Sequence, residues 1–267
     1  MKILATDLDR TLLPNGSWPA DAAAIPLFNE LTRRDDLVVV YVTGRNLRLT
    51  EEAIAHFGVR EPDVLCGDVG TSIRKYRDGK WHFDEGWSEH VRRASPRWNA
   101  AAIHALVADI AGIRLQEAEH LNPFKQSYYT DHGDRARILA EVDARVKGRF
   151  DEAIVYSFDS LDGKGLLDFL PASATKLTSL EYVAEEYGVP RGEVVFCGDS
   201  GNDIFPLTAG FRGVLVRNAD DQLVAEVREA MAANPALKAY FAKGGYRGLS
   251  GYYTSGVLEG ADFYGVL

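Results

Sequence analysis

Short apolar runs rich in β-branched residues recur in the first and last thirds of the chain, and each stops abruptly at polar residues or glycine. They are Ile3 to Ala5, Val38 to Val42, Val64 to Cys66, and residues 193–197 and 213–216. Continuous apolar runs of this length, bounded by turn residues, read as strands buried on both faces. Between them the apolar spacing changes to a helical period over residues 19–34, 46–57, 175–187, 202–209 and 219–233. Leu223, Val227 and Met231 give the last of these a part-apolar face. Strands alternating with helices predict an open parallel sheet with helices on both faces. After a strand at 73–76, Asp78-Gly79 reads as a hairpin turn.

From about residue 81 the alternation breaks. Trp81, Trp87 and Trp98 crowd together. Helical stretches at 100–111 and 134–147 mix with strands at 126–130, 153–157 and 161–170, and the first pattern returns near 168. The chain therefore reads as a core of residues 1–80 and 168–267 with a smaller α+β domain, 81–167, inserted. A stretch rich in Gly and Tyr from Lys243 precedes a last helix near 255–264.

The ends of the core strands carry the chemistry. The first strand ends in Asp7 and Asp9, with Thr11 following. Strand residues two apart share a face, so both carboxylates can address one ligand. Two close carboxylates repel unless a cation or a proton intervenes, which indicates either a divalent metal site or an acid/base couple. Oxygen ligands would select a hard cation such as Mg2+. The second strand ends in Thr43-Gly44-Arg45: a hydroxyl, a glycine that admits a ligand close to the backbone, and a planar donor fork suited to phosphate. Lys176 opens a helix, where the dipole disfavours a cation unless an anion compensates. Residues 194–203 run from an apolar strand into Gly198-Asp199-Ser200-Gly201-Asn202-Asp203, with two acids four apart in a turn that becomes a helix. In open α/β sheets, ligands bind outside the carboxyl ends of the strands, where these four elements can converge.

With these four motifs in order, the chain resembles the haloacid dehalogenase (HAD) superfamily of aspartate-nucleophile phosphatases. Within it the chain is most similar to the sucrose-phosphate phosphatases. Asp68-Val69-Gly70-Thr71-Ser72-Ile73, Asn122-Pro123-Phe124-Lys125-Gln126-Ser127-Tyr128 and residues 213–219 spread that resemblance over nearly the whole chain. It departs from the pattern in the acidic Cys66-Gly67-Asp68 stretch and in the Gly/Tyr-rich segment from Lys243. Both departures bear on the sugar rather than on the chemistry.

The resemblance implies a doubly wound, Rossmann-like α/β core with a substrate-specificity cap inserted between the second and third motifs. It implies Asp7 as nucleophile, Asp9 as general acid and base, and Mg2+ held by Asp7, by the Asp9 backbone carbonyl and by Asp199. Thr43, Lys176 and Asn202 would hold the phosphoryl oxygens. Asp203 would orient Lys176 or a water, and Gly44 and Arg45 would face the substrate. Asn122, Lys125, Ser127 and Tyr128 are the candidates for sugar contact, although Tyr128-Tyr129 reads equally well as sheet packing. The expected reaction is hydrolysis of sucrose 6-phosphate. Mannosylfructose phosphate and glucosylglycerol phosphate are alternative substrates, and a non-catalytic module beside a glycosyltransferase is an alternative of another class.

Composition narrows the partners. The 267 residues are 46% hydrophobic and 26% charged, as in a globular protein, and the net charge is −9. That charge argues against a nucleic-acid surface and leaves an anionic substrate to local cations: Arg45, Arg48, Lys125 and Lys176. The two cysteines, Cys66 and Cys197, end apolar runs and read as buried, reduced thiols rather than a disulfide framework. A first strand at the very start, with no signal peptide or membrane-length apolar stretch, leads to the expectation of a cytoplasmic monomer with no membrane partner, in transient contact at most with a sugar-phosphate synthase.

Overall fold

The computed structural model describes residues 1–159 and 163–267. Two compact units are formed, one by Met1–Asp84 with Lys176–Leu267 and the other by Glu85–Thr175.

The first unit is built on an eight-stranded sheet. Its strands are β1 (Lys2–Thr6), β2 (Leu37–Val42), β3 (Val64–Gly67), β4 (Ser72–Arg77), β5 (Lys80–Phe83) and, late in the chain, β10 (Val194–Gly198), β11 (Arg212–Leu215) and β12 (Lys238–Phe241). The order is β12-β11-β10-β1-β2-β3-β4-β5, parallel from β12 to β3 and closed by the antiparallel β3-β4-β5 meander. The Asp78-Gly79 turn joins β4 to β5 as expected, both residues having positive φ. β1 pairs with β2 on one side and β10 on the other. The winding reverses between β1 and β10, which makes their ends the switch point of the sheet.

The continuous apolar runs are explained by burial on both faces. Leu4, Val39, Tyr41, Leu65, Val195, Cys197 and Val214 form one core with α1 (Ala24–Leu31), α2 (Leu47–Phe57) and α9 (Thr254–Phe263). The alternate residues lie under α6 (Lys176–Glu186), which packs on β3, and α7 (Ile204–Thr208), which packs on β10 and β11. α8 (Asp221–Ala233) contacts α7 and β12. Both cysteines are buried and free. The first crossover helix is shorter than the 19–34 expected, because residues 17–23 instead run as turns that hydrogen-bond to the C-terminal segment.

The second unit carries an antiparallel sheet in the order β6 (Ile113–Leu115), β7 (Gln126–Thr130), β9 (Lys164–Pro171), β8 (Glu152–Asp159). α4 (Ala100–Val107) and α5 (Arg135–Val146) cover one face, around Tyr128, Leu167 and Phe169. The remaining helix, α3 (Glu85–Ala94), lies where the sequence shows only a cluster of tryptophans. Of the strand expected at 161–170, residues 161 and 162 fall outside the described residues. The chain returns to the first unit at Lys176 rather than at 168, since β9 pairs with β7 and β8 along its length. Among the described residues, no helix is long and apolar enough to cross a membrane.

Candidate active site

The site lies at the switch point, and its geometry follows from four strand ends. Asp7 directly follows β1, and its amide donates to the carbonyl of Cys197 at 2.9 Å, which extends the β1–β10 pairing one residue beyond the strand. The residue is 5% exposed. Lys176, 2% exposed at the start of α6, donates to Asp7 Oδ1 at 2.9 Å, Asp203 Oδ1 at 2.8 Å and Asn202 Oδ1 at 3.0 Å. An ammonium has three donors, and all three are engaged. The other Asp203 oxygen accepts the amides of Asp199 at 3.1 Å and Ser200 at 3.3 Å. Asp199, buried beyond β10, accepts from the Thr11 hydroxyl at 2.8 Å through Oδ1, and its Oδ2 lies 3.3 Å from Arg10 Nε.

Glycine is required at Gly198: a Cβ there would stand 2.7 Å from the Asp203 side chain. The motif thus lets a buried carboxylate fold back against the strand that delivers Asp199.

The electrostatics are those of a cluster with too little positive charge. Burial pushes the Asp7 carboxyl up, Asp203 and Asp9 add to the effect, and Lys176 opposes it. Burial also raises Asp199 well above the carboxylate range, helped by repulsion from Asp7 and Asp203 and opposed by Arg10 and Thr11. Lys176 is driven upward although burial disfavours its charge, because Asp203 and Asp7 outweigh that cost. One further cation would relieve all three carboxylates. The donor set suits it: ligand oxygens of Asp7, Asp199 and Asp203 lie within 4.8 Å of one another, and Asp199 Oδ2 is buried without a hydrogen-bond partner among the described residues. Oxygen-only donors fit Mg2+.

Asp9 stands apart from this cluster, with its side chain 41% exposed. Arg45 grips it with a two-point fork, Nε to Oδ2 at 2.8 Å and an Nη to Oδ1 at 2.7 Å, and Asn15 adds a third donor at 2.6 Å. Thr43 is fully buried, its amide bonded to the Cys66 carbonyl and its hydroxyl accepting from the Arg45 amide at 3.2 Å. Gly44 is exposed, and a Cβ there would meet only Val69, at 4.0 Å. The Asp68-Val69-Gly70 loop is laced onto this turn: Asp68 N bonds Arg45 O and Val69 N bonds Thr43 O, each at 2.9 Å. All three loop residues have positive φ (54°, 63° and 94°), and a β-branched residue in that region is uncommon. Strain of about 1–3 kcal/mol per such residue marks a loop fixed by its surroundings.

Other expected residues are placed elsewhere. Arg48 makes an exposed pair with Glu52 one turn along α2, at 2.7 Å. In the second unit, Asn122 Oδ1 caps the turn by accepting from Phe124 N at 2.8 Å. Lys125 closes that turn through backbone bonds to Asn122, and the Ser127 hydroxyl bonds Asp168. Tyr128 lies on the helix-covered face, buried edge-on against Phe169, with its hydroxyl 2.9 Å from His104 Nδ1. Its buried position is the one the sheet-packing reading expects. Periodicity and motif order assign no role to Arg10, Asn15, Asn218 or Asp220, although Arg10 falls inside the Asp-x-Asp-x-Thr motif and Asn218 inside the 213–219 segment.

Comparison with known proteins shows the family. The model of the family described as sucrose-6F-phosphate phosphohydrolase matches residues 1–265. The chain belongs to this family. It is a HAD-type sugar phosphatase, a phosphoric monoester hydrolase. It is 37% identical over 265 residues to a HAD-like hydrolase of Nitrosococcus oceani, covering 98% of this chain and 71% of that protein. It is 28% identical over 231 residues to sucrose-phosphatase 2 of Nicotiana tabacum, covering 83% of this chain and 51% of the tobacco protein, so the chain spans about half the length of that relative. The fold is shared with the sucrose-phosphatase from Synechocystis, solved in complex with sucrose and phosphate, with a TM-score of 0.78 at 23% identity and coverage of 98% and 97%.

Proposed function

We propose that this chain is a Mg2+-dependent phosphatase that hydrolyses sucrose 6-phosphate through an aspartyl-phosphate formed on Asp7. The observation that carries the reading is the Lys176 node: a buried lysine that binds Asp7 and Asp203 together beside Asp199, with exposed Asp9 two residues beyond Asp7.

Phosphate monoesters resist hydrolysis because their charge repels nucleophiles, so catalysis rests on positioning and charge neutralisation. Asp7 attacks phosphorus, with its carboxylate aimed by Lys176. Lys176, Asn202 and the Thr43–Gly44 turn cradle the phosphoryl oxygens. Asp9 gives a proton to the departing sugar oxygen and later takes one from the attacking water. Arg45 must shift or share its grip on Asp9 for that proton to be carried, and it doubles as a substrate contact. Asp203 fixes Lys176 from behind. Asp7, the Asp9 carbonyl and Asp199 would hold Mg2+, which would supply the positive charge that the cluster lacks. Asn122, Lys125 and Ser127 recognise the sugar.

Mannosylfructose phosphate is the second reading. It is favoured by 28% identity over 238 residues to the mannosylfructose-phosphate phosphatase of Agrobacterium fabrum, covering 84% of this chain and 86% of that protein. A stretch of a glucosylglycerol-phosphate synthase of Pseudomonas anguilliseptica, 28% of its length, is 25% identical to this chain over 229 residues, which supports a transient contact of this phosphatase with a synthase. The test is phosphate release from a panel of glycosyl phosphates with and without Mg2+, using Asp7→Asn as control. Turnover of sucrose 6-phosphate that needs both Mg2+ and Asp7 is expected. Preference for another ester would move the substrate, and a folded protein inactive on all of them would overturn the reading.

A further inference from the structure

Arg10 lies between the two acids of the first motif and Thr11, yet the reaction proposed above gives it no task. Its backbone is left-handed, with φ of 59°, which a non-glycine residue adopts only when its surroundings impose it. The surroundings do so from four sides. Its amide donates to Asn15 Oδ1 at 2.7 Å, and its carbonyl accepts from Asn218 Nδ2 at 2.6 Å. One guanidinium nitrogen bonds Asp220 Oδ1 at 2.5 Å, and Nε stands 3.3 Å from Asp199 Oδ2. Asn218 in turn takes the amide of Tyr253 at 2.9 Å, and the Tyr253 hydroxyl accepts from Trp18 N at 2.9 Å. The Gly/Tyr-rich C-terminal segment thus locks the backbone of Arg10.

The contact with Asp199 has an unusual character. The separation is within ion-pair range, but Asp199 Oδ2 takes part in no hydrogen bond among the described residues, while Oδ1 is engaged by Thr11. Charge is balanced across that contact while the oxygen's lone pairs stay free. With Lys176 alone, the three buried carboxylates would carry an excess of two negative charges, and Arg10, shared between Asp199 and Asp220, offsets part of it.

We propose that Arg10 is a built-in counter-cation of the Asp7–Asp199–Asp203 cluster: it stabilises Asp199 in the unloaded protein, leaves Oδ2 open, and lowers the affinity of the cluster for a divalent ion so that the ion exchanges. This rests on the proposed reading of Asp7 and Asp199 in that cluster as Mg2+ ligands. A bridge that served only the fold would lose stability on removal without tightening metal binding. A counter-cation has the opposite signature in its second half, since deleting a positive charge next to a cation site deepens the negative potential there.

The experiment is calorimetric titration of Mg2+ into chelator-treated wild type, Arg10→Met, Arg10→Gln and Arg10→Lys, with melting temperatures measured in chelator and at saturating Mg2+. The neutral variants are expected to bind Mg2+ about tenfold more tightly. They should melt lower in chelator and recover most of that loss with Mg2+, while Arg10→Lys follows the wild type. Neutral variants that bind Mg2+ no more tightly than wild type would overturn the proposal alone. Neutral variants that stay unfolded at saturating Mg2+ would also overturn it, because the ion should replace the missing charge. A wild type that binds no Mg2+, or binds it unchanged when Asp199 is replaced by Asn, would overturn the metal-site reading and the proposal with it.

Discussion

Asp203 holds Lys176 and the Asp199 strand end at once: Oδ1 accepts from Lys176 Nζ at 2.8 Å, and Oδ2 accepts the amides of Asp199 and Ser200. One carboxylate therefore sets both the cation facing Asp7 and the backbone that delivers Asp199. Removing the cation leaves buried carboxylates facing one another. Lys176→Met should lower stability by about 3–5 kcal/mol in chelator, the usual cost of breaking a buried pair from one side. Mg2+ should restore part of that loss, since both cations answer the same charge. Phosphatase activity should fall by at least about 10²-fold with Mg2+ present, because Asp7 loses its guide and the phosphoryl group an electrostatic partner. Thermal melts with and without Mg2+, alongside turnover, check both arms.

The glycine that opens the last motif is a steric requirement. An alanine methyl at position 198 would stand 2.7 Å from Cβ, Cγ and Oδ2 of Asp203, closer than non-bonded atoms approach. Asp203 must then withdraw from the Asp199 and Ser200 amides, and Lys176 loses its second anchor. Gly198→Ala should cost about 1–3 kcal/mol as an overpacked core position and lower kcat well beyond its effect on KM. A variant with unchanged kcat would show that Asp203 is not needed where the structure puts it.

What the sequence made legible is what periodicity and motif order carry. The β-branched runs located β1, β2, β3 and β10 because strands buried on both faces leave a continuous apolar signature. The polar residues at their ends located Asp7, Thr43, Lys176 and Asp199. Arg10 stayed hidden because its task depends on Asp220 and Asn218, more than 200 residues away in the chain. α3 stayed hidden because its buried residues, Trp87, Ser88 and Val91, are few among charged neighbours. Tyr128 was ambiguous for a different reason: alternation along β7 says that it faces opposite to Ser127, but not which face the helices cover.

The placement of Tyr128 makes a prediction of its own. Its ring sits among Ile103, Val107, Ile138 and Phe169, and its hydroxyl meets His104 and Gln126. Tyr128→Phe keeps the ring and removes a buried polar partner, so it should cost about 1 kcal/mol of stability. KM for the sugar phosphate should not change. Ser127→Ala, on the opposite face of β7, is the comparison. A rise in KM for Tyr128→Phe and none for Ser127→Ala would reverse the assignment of the two faces.

The C-terminal segment should also give the fold an acid-sensitive joint. Asp21 Oδ2 accepts from the Ser250 amide at 2.8 Å and from the hydroxyls of Ser250 and Ser255 at 2.6 Å each, tying the turns before α1 to the start of α9. Burial pushes the Asp21 carboxyl up, but the hydrogen bonds from Ser250 and Ser255 outweigh it and hold it below its ordinary value. A carboxylate whose folded pKa is depressed contributes stability that is fully present above its unfolded pKa, 3.8, and is lost as pH falls through the folded value. Because Asp21 is largely solvated, screening limits the contribution to about 1 kcal/mol or less, roughly 2–4 °C in a chain of this size. Asp21→Asn should therefore melt lower than wild type by that amount at pH 6–8, with the gap closing below about pH 4 as the wild-type carboxylate takes up its proton. A gap that stays constant down to pH 3 would show that the joint depends on shape and neutral hydrogen bonds rather than on the charge of Asp21.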